Sequence, residues 1–290
     1  MPAMTPTKTK FGQALTSDRL VLTAECVPPR GGGAEAVKRL LAVLPTSLDA
    51  VVVADNPDEI HGSAMACAAL LAREGREAVL SMTTRDRNRI ALESDALGAS
   101  ALGISGILCL SGNHQSLGVC PQAAGANDID SIQLTQVLKG LDLPELLVGA
   151  VAHPYQLPLE LNLFRLKKKI AAGADFLLTQ AVFDVAGFTT WMDSVRAAGL
   201  DKRTAIIASV LLLTSIDKAE ALRQLQTYGP VDEAVIARLG KASDAAKEGP
   251  AMAAEIAVQL KAIPGVRGIH ILSGGSEALA GQVIEAAGLA

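Results

Sequence analysis

The chain has 290 residues, half of them hydrophobic and 19% charged, which excludes global disorder and leaves enough apolar side chains for a large core. Its formal charge is −4 and its pI near 5.6, which argues against broad nucleic-acid binding, since that needs a basic face. Mean hydropathy is +0.32, yet no stretch approaches the roughly 18 consecutive apolar residues of a membrane-spanning helix, so no membrane association is expected.

The N-terminal segment MPAMTPTKTKFGQAL lacks the apolar run of a signal peptide, so residues 1–18 read as a loose, flexible leader and the location as cytoplasmic. From there, short apolar runs alternate with helical stretches. Candidate strands are 20–27, 50–54, 78–83, 106–110, 146–152, 176–182, 204–212 and 268–272. Each is followed by a segment with apolar residues three and four apart. The clearest is LELNLFRLKKKIAA at 159–172, where Leu159, Leu163, Leu166 and Ile170 share one stripe and Gly173 supplies a stop. The segment 232–264 is longer than one connection needs and reads as two or three extra helices before the last strand. Eight β-then-α units point to an α/β fold: a closed (β/α)8 TIM barrel over residues 19–290, rather than an open sheet with a small helical domain.

Cys26, Cys67, Cys109 and Cys120 form no CxxC pair and are too few for a disulfide scaffold, so they read as reduced, mostly buried thiols. His61, His114, His153 and His270 form no HxH or HExxH pair, and no metal site is expected. Neither GxGxxG nor GxxxxGK[ST] is present.

Barrel chemistry sits at the C-terminal ends of the strands, and the notable polar residues fall there. Glu25 lies inside the apolar run LVLTAECV. It is either an acid poised at the barrel mouth or a partner of a basic residue such as Arg85 or Lys169. The run Arg85-Asp86-Arg87-Asn88-Arg89 either grips phosphates or is a solvated loop in which Asp86 or Asn88 caps a helix. Ser111-Gly112-Asn113 lets backbone amides approach an anion or a ring. Gln180, within LLTQAVF, either closes a core hydrogen-bond network or meets a ligand, and its place at a strand end favours the ligand. Lys167-Lys168-Lys169 reads as a solvated helix face, and the seventh strand ends in LLLT with little polar to offer.

Taken together these residues resemble the methylenetetrahydrofolate reductase family, in its short bacterial or archaeal form. The resemblance rests on Ala24-Glu25-Cys26-Val27-Pro28-Pro29, MTTRDRNR, LSGNHQ and KKKIAAGADFLLTQAVFD, four motifs in order across residues 20–275. It implies a flavoprotein of one-carbon metabolism and methionine biosynthesis. The implied reaction reduces 5,10-methylenetetrahydrofolate to 5-methyltetrahydrofolate by hydride transfer from reduced FAD. Glu25 would be the general acid, with Glu25, Asn113 and Gln180 on the folate. Asp55, Thr83, Ser111, Gly112, Asn113, Ala152, His153, Arg165 and Lys169 would hold FAD. NADH, NADPH or an electron-transfer protein would be the donor, and a homo-oligomer or complex subunit is compatible with the composition. The chain departs from the family pattern in three places. Asn113 replaces an Asp, IIASVLLL lacks the usual Pro-Gly turn, and Gly275 lies where some members carry an Arg. With one Trp and two Tyr, stacking on the pterin would fall to Phe183 or Tyr155. Two other functions compete: a repurposed or non-catalytic paralogue that binds folate or flavin, and a flavin-free pterin-dependent methyltransferase on a similar barrel.

Overall fold

The computed structural model describes residues 8–57, 59–114, 116, 120–225 and 228–289. Among them are eight strands: β1 (Val21–Cys26), β2 (Ala50–Val53), β3 (Ala78–Thr83), β4 (Gly106–Leu110), β5 (Leu147–Ala152), β6 (Phe176–Ala181), β7 (Ala205–Leu211) and β8 (Val266–Leu272). Every neighbouring pair is parallel, in sequence order, and β8 closes on β1 through Val21 opposite Gly268 and Ala24 opposite Ile271. The expected (β/α)8 TIM barrel is therefore the fold, with strand ends within a residue or two of the sequence expectation.

The period of two along each strand divides the core into two layers. Val21, Val52, Val79, Leu108, Leu147, Phe176, Leu178 and Ile207 point into the barrel and pack on one another. Their neighbours Leu22, Val51, Leu80, Ile107, Val148 and Leu177 point outward under the helices. The interior is full of side chains, as barrels of this size require. Gly149 makes room for the largest of them: a Cβ there would lie 2.3 Å from the Phe176 ring.

Helices α1 (Lys10–Thr16), α2 (Gly33–Val43), α3 (Ala64–Arg73), α4 (Arg89–Ala101), α5 (Ser131–Gly140), α6 (Leu159–Ala171) and α7 (Val185–Ala197) come before β7. Helices α8 (Ile216–Leu225), α9 (Glu233–Lys241) and α10 (Ala245–Leu260) lie between β7 and β8, and α11 (Ala280–Ala286) follows β8. The segment 232–264 thus holds two helices, α9 and α10. The expectation of a loose leader does not hold from Lys10 onward. There α1 plugs the N-terminal end of the barrel, with Phe11 fully buried and its ring edge-on to Phe176 at 5.2 Å. The stretch KFGQALT is too short for a periodicity reading, and the burial of Phe11, Ala14 and Leu15 fixes it as a helix.

Among the described residues no helix is long and apolar enough to cross a membrane, and no group of three or more His, Cys, Asp or Glu side chains could hold a metal ion.

Candidate active site

The inward parity that builds the core also builds the site. Glu25 shares the parity of Val21, and Gln180 that of Phe176 and Leu178, so both aim into the mouth of the barrel at its C-terminal end. Thr83, His153 and His270 likewise continue the inward rows of β3, β5 and β8. The result is a cavity of about 270 Å3 lined by Glu25, Thr83, Asn113, His153, Gln180 and Tyr228, among others. Beside it, between β4, α5, β5 and α6, lies a groove of about 330 Å3 that contains Ala152, Gln156, Asn162 and Arg165. Ser111, Ser131, Val151, His153 and Lys169 line both, so the two spaces adjoin.

Glu25 is 7% exposed, and its Oε2 accepts from the Gly274 amide at 3.0 Å, in the turn after β8. The two basic residues considered beside it are engaged elsewhere, Lys169 on the Val151 carbonyl and Arg85 on Asp86. Arg85 also donates to the Asn113 carbonyl at 3.2 Å. Arg87 takes Asp55 and Arg89 takes Asp128, each with two bonds, while Asn88 caps α4. The three arginines of that loop are thus spent on carboxylates, and its alternative role as a phosphate grip is not what the geometry provides. Asp55 lines the cavity, but its charge is also answered by the Thr83 amide at 3.0 Å.

His153 is hydrogen-bonded to the Gln180 side chain. Burial, reinforced by the positive charge of Lys169, pulls its pKa down to about 4, so the ring is neutral at physiological pH. Lys169 is not on a solvated face: it is 9% exposed and donates to the Val151 carbonyl at 2.5 Å. Burial and the neighbouring Arg165 lower its pKa to about 8. Lys168, one residue earlier, lies over the Phe164 ring at 4.9 Å. At the end of β4, Gly112 has φ +79°, and a Cβ there would meet Thr83 Cγ2 at 2.4 Å, so only glycine lets this turn lie on β3.

The structure gathers all eleven expected site residues. Glu25, Asp55, Thr83, Gly112, Asn113 and Gln180 line the cavity, Ala152 and Arg165 the groove, and Ser111, His153 and Lys169 both. Sequence reasoning missed three others. Tyr228 enters from the segment between α8 and α9, where its carbonyl accepts from the Ala181 amide at 2.6 Å. His270 lines the cavity from β8, bonded to Thr23 Oγ1 at 2.9 Å and held neutral by burial, with its pKa near 3. Asn162 donates to the His153 and Gln156 carbonyls at 2.5 and 3.0 Å and fastens the loop before α6. The aromatic residues expected on the pterin do not line the cavity. The Tyr155 hydroxyl donates to the Asp184 carbonyl at 2.9 Å, and Phe183 packs against the outer core.

Comparison with known proteins bears on the family and the fold. The profile of the methylenetetrahydrofolate reductase family matches residues 10–288. The chain belongs to that family. It is 27% identical over 217 residues to 5,10-methylenetetrahydrofolate reductase of Pectobacterium carotovorum subsp. carotovorum, covering 72% of this chain and 68% of that one. With methylenetetrahydrofolate reductase 2 of Saccharomyces cerevisiae it shares 43% identity over 77 residues, which is 26% of this chain and 12% of the yeast protein. With the Salmonella typhimurium reductase it shares 27% over 203 residues, 68% of this chain and 66% of the relative. Among solved structures it is similar to an uncharacterised Clostridium thermocellum protein that binds two copies of 5-methyl-5,6,7,8-tetrahydrofolic acid. The TM-score is 0.70, with 15% identity over 98% of this chain and 99% of the other. Oxaloacetate acetylhydrolase shares the barrel at a TM-score of 0.54 and 13% identity, over 98% of this chain and 86% of that one.

Proposed function

We propose that this chain reduces 5,10-methylenetetrahydrofolate to 5-methyltetrahydrofolate, with FAD as cofactor and Glu25 as the proton donor. The observation that carries the proposal is the convergence of Glu25 and Gln180 on one cavity at the C-terminal mouth of the barrel. Family membership and the folate-binding neighbour in Clostridium thermocellum support it.

The residues present fit a flavin dinucleotide. Leu108, Leu110, Val151 and Leu178 give the cavity an apolar wall, and Thr83, Asn113 and His153 line it with groups able to hydrogen-bond a ring edge. The adjoining groove carries Arg165 and Lys169, the donors a diphosphate requires. When bound, FAD supplies the hydride. Thr83, Ser111, Gly112 and Asn113 would hold its ring, and His153, Arg165 and Lys169 its polar chain. Ala152 forms wall, while Asp55 acts through Arg87 and the Thr83 amide rather than as a free charge.

The chain's own groups do the rest. Gln180, steadied by His153, offers an amide to the pterin. Tyr228, the aromatic ring lining the cavity among the described residues, gives the pterin a face to stack on. Glu25 donates a proton to the folate nitrogen as its bond to the bridging methylene breaks, leaving an iminium that the hydride reduces. Neutral His153 and His270 place no cation against that iminium. The electron donor is NADH, NADPH or an electron-transfer protein that reaches the same mouth.

The test is the visible spectrum of the purified protein with FAD. The proposal expects a retained flavin band, bleached by a reductant under anaerobic conditions and restored by methylenetetrahydrofolate. A protein that binds the folate but retains no FAD would instead support the flavin-free methyltransferase. Retained flavin that the folate never reoxidises would support the repurposed paralogue.

A further inference from the structure

Glu277, in the short 3-10 turn Glu277–Leu279 after β8, is a second buried carboxylate beside the first. It is 8% exposed, and among the described residues no cation forms an ion pair with it. Its Oε1 accepts from the Val27 amide at 2.8 Å and from Ser273 Oγ at 3.2 Å. Ser273 Oγ in turn accepts from the Gly275 amide at 3.3 Å. The intervening residue, Gly274, is the one whose amide donates to Glu25, and Lys218 Nζ donates to its carbonyl at 2.7 Å. One carboxylate therefore ties the end of β1, two residues beyond Glu25, to the turn that supplies a hydrogen bond to Glu25. Both carboxylates also act on Cys26, whose thiol they help to push up. A buried carboxylate is costly unless something is gained from it, and a fully satisfied network of this kind fixes geometry.

We propose that Glu277 is the positioning residue for Glu25: it buckles the end of β1 to the turn after β8 and so holds the Gly274 amide on the Glu25 carboxyl. This rests on the reading of Glu25 given above. The clasp spans the seam where β8 closes on β1, so a slip of the turn after β8 would carry the Gly274 donor away from Glu25.

The test is turnover by the 290-residue chain carrying Glu277→Leu or Glu277→Gln, each loaded with FAD. Glu277→Leu removes both acceptor bonds and should lower kcat roughly tenfold with KM and flavin content little changed, whereas Glu277→Gln keeps an oxygen to accept from Val27 and Ser273 and should restore most of that loss. In Glu25→Gln the same Glu277→Leu change should cost little more, because its effect runs through Glu25. An unaltered kcat in folded Glu277→Leu, equal losses in Glu277→Leu and Glu277→Gln, or an undiminished loss on top of Glu25→Gln overturns the inference. Ser273→Ala removes one of the two bonds and should give a smaller fall in kcat, which serves where Glu277→Leu does not fold. Full turnover by Glu25→Gln alone overturns the reading of Glu25 instead.

Discussion

The Lys169 ammonium reaches across from α6 to donate to the Val151 carbonyl of β5 at 2.5 Å. That bond turns a lysine from a run of three into a buried cation at the junction of the cavity and the groove. Burial and Arg165 depress its pKa to about 8 from an ordinary 10.5, so its charge is lost as pH rises through about 8. FAD affinity should therefore fall above pH 8, and in Lys169→Met it should be weaker at neutral pH and lose that dependence. Fluorescence titration of FAD between pH 7 and 9 checks this, and an identical pH slope in the variant would contradict it.

The same shift has a consequence for the empty protein. Between about pH 8 and 10.5 the unfolded chain carries a proton on Lys169 that the folded chain lacks, so this group adds stability as pH rises through that window. Denaturant midpoints of the unmutated chain and Lys169→Met should converge or cross there, because the variant has no such term.

Tyr228 should set substrate affinity rather than the chemical step. Tyr228→Ala removes one aromatic face worth about 1 kcal/mol, so KM for methylenetetrahydrofolate should rise roughly fivefold with kcat little changed. A fall in kcat at constant KM would assign Tyr228 to the chemistry instead.

Phe11 anchors the N-terminal plug against Phe176. Phe11→Ala should cost about 3–5 kcal/mol in equilibrium unfolding. Because the plug closes the end of the barrel opposite the site, FAD binding at saturating temperature-stable conditions should persist. A stability loss within 1 kcal/mol, roughly the cost of a surface change, would deny α1 its role in the core.

Asn113 lines the cavity at the end of β4, where the sequence comparison led us to expect an Asp. A carboxylate there disfavours an anionic reduced flavin, so Asn113→Asp should lower the bound flavin potential, by on the order of 30 mV for about 1.4 kcal/mol. Equal potentials in a redox titration would remove Asn113 from the flavin's surroundings.

Much of this architecture was legible in the sequence because two periodicities carry it. The apolar runs marked the strands, and the parity within each run already determines that Glu25 and Gln180 face inward with Val21 and Phe176. What stayed hidden depends on contacts distant in the chain. The burial of Lys169 follows from the carbonyl it meets on β5, not from its two lysine neighbours. Tyr228 comes from a connecting segment with no strand pattern, held by a bond to Ala181, nearly fifty residues earlier. Tyr155 had the right composition for a stacking residue, but its hydroxyl is committed to Asp184. The helix over Lys10–Thr16 exists because the barrel end needs a plug, which a seven-residue polar stretch does not announce.

The central claim is that Glu25 delivers the proton in folate reduction. The most direct measurement is the yield of 5-methyltetrahydrofolate from the unmutated chain and from Glu25→Gln, each reduced anaerobically, loaded with equal FAD and mixed with methylenetetrahydrofolate. The account predicts product from the unmutated chain and a rate lower by about 10²–10⁴ in the variant, with flavin content unchanged. Product formed at equal rates by both proteins would contradict it.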